Sequence, residues 1–508
     1  VSFHEPAALP FRRFAAASWL RSSPAALPRV DDLVALSRPE EPMHCVRPDT
    51  LTAAARHFIA AFPGDVLYAV KCNPEPAVLR ALWEGGTRHF DCASPAEVAL
   101  VRQMFPDAAI HFMHPVKARG AIREAWARHG VRDFALDTTD ELVKLRTEIA
   151  ATGVTGELGL IVRLALPKGQ AVLDLSGKFG AEADQAAALL RAARPHATRL
   201  GVGFHVGSQN LDPLAWRRAL ALVAQVIRSA GVAIDIVDVG GGFPVAYPDV
   251  APPPLGAFIA EIEDGFERLG LPAATRLWAE PGRALVAGGG SVVVQVQLRR
   301  DDALYVNDGV FGSLADAGAL GFRYPVRLIR AGGAAPAADM RPFSFFGPTC
   351  DSADAMRGPF LLPADVAEGD WIEVGQLGAY GGCLRTGFNG FDRARIVEVC
   401  DGPLVGLARV AELAAAAWPR RADFVAGPRG RAFTEHLDPE RPRAVARRIG
   451  DVIPAAVKVD PPTVPPRHAG EGRYPRLSLL RRRQVVDTGL RRYDVGVAAR
   501  ASAFRAVY

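Results

Sequence analysis

Asp65-Val66-Leu67-Tyr68-Ala69-Val70-Lys71-Cys72-Asn73-Pro74 is the stretch around which the rest of the chain can be ordered. Residues 66–70 are apolar throughout, as a parallel strand covered on both faces must be, and Asn73-Pro74 closes it with a turn. A lysine at the carboxyl end of such a strand enters a pocket rather than open solvent. An ammonium there must be paired or lose its proton, and an amine of lowered pKa can form a Schiff base with an aldehyde. The plain alternative is a lysine that snorkels to water from a strand end. The pattern on either side speaks against it.

Working outward, apolar strand-like runs at 66–70, 88–92, 110–114, 133–136, 158–164, 200–205, 234–239 and 276–279 alternate with helical stretches such as 95–104, 118–129, 139–150, 182–193, 213–230 and 255–269. Eight strand–helix units in about 250 residues is the rhythm of a closed parallel barrel, with a doubly wound open sheet as its rival. Lys71, Asp91, His114, Arg163, His205, Gly240-Gly241-Gly242 and Glu280 all fall at the carboxyl ends of these strands. In a barrel those ends converge on one mouth.

After Arg283 the texture changes to short strands at 291–298, 303–306, 326–329, 371–374 and 396–399 with glycine-rich turns. The expected architecture is therefore a (β/α)8 TIM-like barrel over 43–285 followed by an antiparallel β domain over 286–400. Residues 1–42 are expected to pack on the β domain. Residues 410–418 read as one alanine-rich helix, Pro461 to Pro466 as an extended linker, and 401–508 as a tail that is largely disordered or adventitious.

Hydrophobic residues make up 49% and charged residues 23% of the 508, a globular balance. The net charge of +5 owes much to arginines from Arg421 onward, and no motif accompanies it, so a nucleic-acid partner is not expected. Six cysteines without framework spacing fit a reducing cytoplasm, and no apolar run reaches membrane-spanning length. Arg12 and Arg13 precede no sustained apolar core, so no signal peptide is expected either.

Four further pieces join Lys71. Gly240-Gly241-Gly242-Phe243-Pro244 follows a strand, where bare backbone N–H groups can approach a phosphate. Glu280-Pro281-Gly282-Arg283 sets a carboxylate at the end of the last strand. His205-Val206-Gly207-Ser208 adds an imidazole and a hydroxyl. Gly347-Pro348-Thr349-Cys350-Asp351-Ser352-Ala353-Asp354 brings a thiol and carboxylates from the second domain. Taken singly, His205, Glu280 and Cys350 each have a structural reading.

Together with Tyr68-Ala-Val-Lys-Cys-Asn73, Phe90-Asp-Cys-Ala-Ser94 and Phe388-Asn-Gly-Phe391, in this order, these motifs resemble the fold-type III pyridoxal-phosphate decarboxylases, the family of ornithine and diaminopimelate decarboxylases with the alanine-racemase-like barrel. The resemblance implies pyridoxal 5'-phosphate as cofactor, no metal, and Lys71 as its Schiff-base lysine. It implies Glu280 at the pyridine nitrogen, His205 on the ring face and Asp91 with Arg163 near the ring. Ser208, Gly241, Gly242, Arg283 and Tyr380 would hold the phosphate. Cys350 resembles the thiol that reprotonates the α-carbon and Asp351 the carboxylate for a distal amine. Both come from the partner subunit in the family, so a homodimer with shared sites is implied, with Lys178 and Asp354 as its cross-interface ion pair.

L-Ornithine is the favoured substrate, with putrescine as product, and lysine or diaminopimelate is the alternative. A non-catalytic regulator resembling antizyme inhibitor and a racemase are the readings from other classes; the retained site residues oppose the first and Glu280 the second. One departure stands out. Where ornithine-type enzymes carry a second acidic residue after the Val306-Asn-Asp-Gly309 segment, this chain has an apolar position, and Asp316 is the nearby carboxylate that could take its place.

Overall fold

The computed structural model describes residues 27–169, 171–173, 177–332 and 335–404. The expected helix at 410–418, the proline linker and the rest of the tail lie outside the described residues, as do residues 1–26.

In chain order, α1 (Val30–Ser37) and β1 (Met43–Val46) lead into α2 (Pro48–Ala61), and the barrel follows. Its strand–helix pairs are β2 (Asp65–Ala69) and α3 (Pro76–Glu84), β3 (His89–Cys92) and α4 (Pro95–Met104), β4 (Ala109–Phe112) and α5 (Arg119–Ala127), and β5 (Asp133–Leu136) and α6 (Thr139–Ala151). They continue with β6 (Gly159–Arg163) and α7 (Ala183–Ala193), β7 (Arg199–Gly203) and α8 (Leu214–Ala230), β8 (Ile236–Asp238) and α9 (Leu255–Glu267), and β9 (Arg276–Ala279) and α10 (Arg283–Val286).

Every neighbouring pair is parallel, and β9 closes on β2 with Asp65 opposite Trp278. The rival open sheet is thereby excluded. Leu67, Met113, Ala135, Ile161, Ile236 and Trp278 fill the barrel interior, while the outer faces of the strands pack on the helices. Local chemistry sets the helix starts. Proline enters the first turn of α2, α3 and α4, where its missing N–H costs nothing. Ser94 and Thr138 accept the Glu97 and Glu141 N–H groups as caps of α4 and α6.

The second domain is an eight-stranded sheet. Its strands are β10 (Gly290–Arg300), β11 (Ala303–Val306), β12 (Val326–Ile329), β13 (Met340–Phe346), β14 (Ala355–Pro363), β15 (Trp371–Val374) and β16 (Arg395–Glu398), completed by β1. Two expectations need correction, and one element was missed. Residues 43–46 belong to this sheet and not to the barrel, because β1 pairs with β10 and β16. The sheet is mixed and not purely antiparallel, since β1–β16 and β11–β13 run parallel. The hairpin β13–β14, which carries Cys350 in its connection, was not anticipated. Pro342, Pro359 and Pro363 argue against central strands, and β14 accommodates its prolines as the last strand of the sheet order.

Residues 27–42 lie against this sheet. Val30 and Val34 join Met43, Val293, Ile329 and Trp371 in one apolar cluster, and Trp371 Nε1 donates to the Pro39 carbonyl. The barrel and the sheet meet beside Lys71. Asn73 Nδ2 donates to the Gly378 carbonyl at 2.8 Å, and the Tyr380 N–H donates to the Cys72 carbonyl at 3.0 Å.

Candidate active site

Strand β2 ends at Ala69, and Lys71 sits in the single 3-10 turn Val70–Cys72 that follows. Its Nζ lies 2.8 Å from Asp91 Oδ2 on β3; Asp91 is 1% exposed, whereas the lysine side chain keeps 43% of its accessibility toward the mouth. Of the two fates open to a lysine in a pocket, pairing is the one observed. Burial would lower its pKa, but the carboxylates of Asp91 and Glu280 outweigh that and hold the ammonium above its ordinary range.

Glu280 follows β9 directly, and Asp238 ends β8. The two carboxyls are close enough for Glu280 to offset part of the effect that burial has on Asp238. Burial pushes both upward; Asp238 and Asp91 add to the effect on Glu280. A cation set against Glu280 would reverse that shift. His205, just after β7, is held well below its usual pKa by burial and by the nearby Arg163 and Lys71 charges. Its Nδ1 accepts the Gly207 N–H at 3.0 Å, so the neutral ring carries its proton on Nε2.

The glycine loop is tight against this group. A Cβ on Gly241 would stand 2.6 Å from the Glu280 carbonyl and 3.1 Å from His205 Nε2. Gly242 has φ +101 and its Cβ would meet the Gly207 carbonyl at 2.3 Å. Side chains are thus excluded and the backbone is left bare, as close approach to a phosphate requires. Ser208 adjoins it, its backbone paired with Leu173.

Arg283 is buried at the start of α10. Its Nη1 donates to the Tyr247 hydroxyl at 2.7 Å and its Nη2 to Asp316 Oδ2 at 3.1 Å, while Tyr380 and Phe322 present ring faces 4.9 and 5.0 Å from the guanidinium. Asp316 is therefore engaged with Arg283. Arg163 ends β6 with its guanidinium 5.8 Å from the Phe179 ring, and the exposed Lys178 reaches the same ring at 5.2 Å.

Cys350 and Asp351 are exposed on the β13–β14 connection. Among the described residues, no hydrogen bond or ion pair joins either of them to the Lys71 cluster of the same chain. The loop itself is firmly held. The Cys350 N–H donates to Asn389 Oδ1 at 3.0 Å, in the Phe-Asn-Gly-Phe motif. Asp354 is 3% exposed; its Oδ1 accepts the Val310 N–H at 2.7 Å and its Oδ2 accepts Thr349 N–H and Oγ1 at 3.0 and 2.7 Å.

Several contributors escaped the sequence reading. Asp238 was visible two residues before the glycine loop, but nothing marked it as the partner of Glu280. Tyr247 carried no signal at all. Lys117 is buried between β4 and β5, donating to the His114 and Ala135 carbonyls and pairing with Glu141 at 3.1 Å; burial lowers its pKa to about 8 despite that pair.

A lysine at a barrel mouth, facing carboxylates, a neutral imidazole and a bare glycine loop, defines a barrel-type pyridoxal-phosphate enzyme. The residues fit that cofactor. Asp91 Oδ1 and Arg283 Nε are buried without hydrogen-bond partners among the described residues, and the glycine cradle has no room for a Cβ.

Comparison with known proteins agrees. The family described as pyridoxal-dependent decarboxylase, pyridoxal binding domain, matches residues 49–287. The chain is 32% identical over 350 residues to a lysine/ornithine decarboxylase of Selenomonas ruminantium, covering 66% of this chain and 84% of the other. It is 34% identical to an ornithine decarboxylase of Schizosaccharomyces pombe, covering 65% and 76%. The crystal structure of the Vibrio vulnificus lysine/ornithine decarboxylase with putrescine superposes with a TM-score of 0.62 at 30% identity, over 73% of this chain and 97% of that one. The Paramecium bursaria Chlorella virus arginine decarboxylase bound to agmatine gives 0.63 at 26% identity, over 73% and 98%.

The chain belongs to the pyridoxal-phosphate-dependent decarboxylase family. It is an amino-acid decarboxylase whose cofactor is pyridoxal 5'-phosphate. Among the described residues no helix is long and apolar enough to cross a membrane.

Proposed function

We propose that the protein removes the α-carboxylate of a basic L-amino acid, L-ornithine foremost, as a homodimer with shared active sites. The observation that carries this reading is the separation of Cys350 and Asp351, exposed on a rigid loop of the sheet domain, from the Lys71 cluster of the same chain. A thiol and a carboxylate held ready on a surface suit the mouth of a second subunit. The names of the relatives, lysine/ornithine, ornithine and arginine decarboxylase, support a basic substrate.

Bound at the mouth, pyridoxal phosphate supplies an electron sink for the carbanion left when CO₂ departs. Lys71 would hold the cofactor, and Asp91, 2.8 Å from its Nζ, would orient that lysine. Glu280, backed by Asp238, would keep the ring nitrogen protonated. His205 would cover the ring as a neutral imidazole, with Arg163 beside it. Ser208, Gly241, Gly242, Arg283 and Tyr380 would hold the phosphate. The partner's Cys350 would supply a proton at the α-carbon, and the partner's Asp351 would bind the distal ammonium. Asp354 and Lys178 join the subunits. The sequence fits a cytoplasmic enzyme of polyamine biosynthesis.

CO₂ release from ornithine, lysine, arginine and meso-diaminopimelate tests the substrate; highest turnover on diaminopimelate overturns the basic-monocarboxylate reading. Borohydride reduction followed by peptide mass mapping should locate the cofactor on Lys71. Mixing inactive Lys71→Ala and Cys350→Ala subunits should restore part of the activity. If subunits exchange and none returns, the shared-site reading fails.

A further inference from the structure

A cavity of about 430 Å³ opens where α2, the start of α9 and the connection after β8 meet the sheet domain, and its walls include none of the side chains assigned to the active site. Ala53, Ala54 and Phe58 of α2, Phe243, and Pro252 to Pro254 make it largely apolar. One group in the wall is unsatisfied. Gln376 is 7% exposed and its Nε2 donates to the Ala246 carbonyl at 3.0 Å, while its Oε1 is buried with no hydrogen-bond partner among the described residues. A buried amide oxygen left without a donor costs about 1–3 kcal/mol. Such a wall calls for an apolar occupant that carries an N–H.

The described chain ends at this same place. Arg47 Nε donates to the Gly402 carbonyl at 3.1 Å, which fixes the final residues against α2. A Cβ on Gly288, in the cavity wall, would lie 3.6 Å from Gln376 Oε1 and 3.9 Å from both Pro403 Cβ and Thr50 Cγ2. Pro403 thus stands at the rim, and the next residues, Val405-Gly-Leu-Ala-Arg-Val-Ala-Glu-Leu-Ala-Ala-Ala-Ala-Trp418, start there. At helical spacing Leu407, Val410, Ala411, Ala414 and Trp418 share one side, with Arg409 and Glu412 opposite.

We propose that residues 405–418 dock into this cavity through their apolar side and supply the N–H that Gln376 Oε1 lacks. The segment is then part of the folded unit and not of the tail expected from residue 401. The reach is trivial, since the segment is covalently continuous with the rim. Residues 1–26 and a small apolar ligand are the competing occupants.

The test uses the full-length holoenzyme and limited trypsin digestion. The bond after Arg409 should resist cleavage at least tenfold longer than the bond after Arg420. Ala54→Phe, which fills the cavity from α2, should abolish that resistance and lower the unfolding midpoint. The double variant Leu407→Asp/Val410→Asp should expose the same bond and raise amide exchange in α2 while the cavity walls are unchanged in sequence. Equal cleavage after Arg409 and Arg420 in the parent chain overturns the proposal. So does a neutral or stabilising Ala54→Phe with Arg409 still protected, the result an empty or ligand-filled cavity gives. Loss of α2 protection on removing residues 1–26, with none in the double variant, overturns it in favour of the N-terminal occupant.

Discussion

Replacing Asp354 by alanine removes the post around which the Cys350 loop is built, and the size of the effect follows from its contacts. Its two oxygens accept from two backbone N–H groups, Val310 at 2.7 Å and Thr349 at 3.0 Å, and from the Thr349 hydroxyl at 2.7 Å. The hydroxyl can rotate to another acceptor, but the two N–H groups cannot. The backbone is wrapped so closely that a Cβ on Gly309 or Gly347 would stand 2.0 or 2.2 Å from Asp354 Oδ1, so water has little room to replace the carboxylate. Two buried donors left unpaired, at about 1–3 kcal/mol each, predict a loss of about 2–6 kcal/mol for Asp354→Ala. Asp354→Asn keeps one acceptor oxygen but turns an amide N–H toward a donor, so roughly half that loss is expected. Urea unfolding of the holoenzyme gives the magnitude, and amide exchange at Val310 and Thr349 gives its place. The proposed ion pair with Lys178 across the interface would add a further loss that grows on dilution. Stability unchanged within about 1 kcal/mol, with both amides still protected, would refute the anchoring role.

Three more expectations follow from the mouth of the barrel. Gly241→Ala drives a methyl group to 2.6 Å from the Glu280 carbonyl, and cofactor affinity, read by fluorescence titration, should fall at least about tenfold, or 1.4 kcal/mol. Arg283→Ala removes the guanidinium that faces the fully buried Asp316 carboxylate, and denaturant unfolding should register about 3–5 kcal/mol. Asp238 is raised to about 6 by burial in the folded chain, so the fold holds a proton that the unfolded chain releases near pH 4. Its contribution is therefore harmless in acid and destabilises the cofactor-free protein as pH rises from about 4 to about 6. Asp238→Asn removes that slope, so the stability difference between variant and parent should move in the variant's favour across this window.

Much of the barrel was legible because parallel strands must be apolar on both faces, and the strand at Arg276–Ala279 agrees residue for residue. Lys71, His205, Glu280 and the glycine loop were legible for the opposite reason: each breaks the apolar run at the same end. Partnerships across long sequence distances left no such trace. Arg283 pairs with Asp316 and Tyr247 through chain separations of 33 and 36 residues, which no periodicity records. Proline hid the β13–β14 hairpin: Pro359 and Pro363 lie on β14, the last strand of the sheet order, and Pro342 lies outside the part of β13 that pairs with β11, so none breaks a central ladder. The isolated run Met43–Val46 gave no hint that its partners, β10 and β16, lay more than 200 residues on.

The Arg283–Asp316 pair also bears on substrate selection. Asp316 was the one carboxylate near the departure from the ornithine-type pattern, yet it is fully buried and matched to a guanidinium. Recruiting it for a substrate ammonium would split a buried ion pair, at a cost of about 3–5 kcal/mol that a single new contact does not return. On the proposed reading, the distal amine is then recognised by Asp351 alone among the motif carboxylates. A single charge at the far end discriminates chiefly by length, and one methylene is worth about 1–3 kcal/mol, a factor of about 10–200 in kcat/KM. Ornithine and lysine should therefore both be decarboxylated, with kcat/KM values within about 200-fold of each other, and Asp351→Asn should depress both alike. A preference for ornithine beyond about 10⁴ would require a second buried polar partner at the distal end and would overturn the single-carboxylate account.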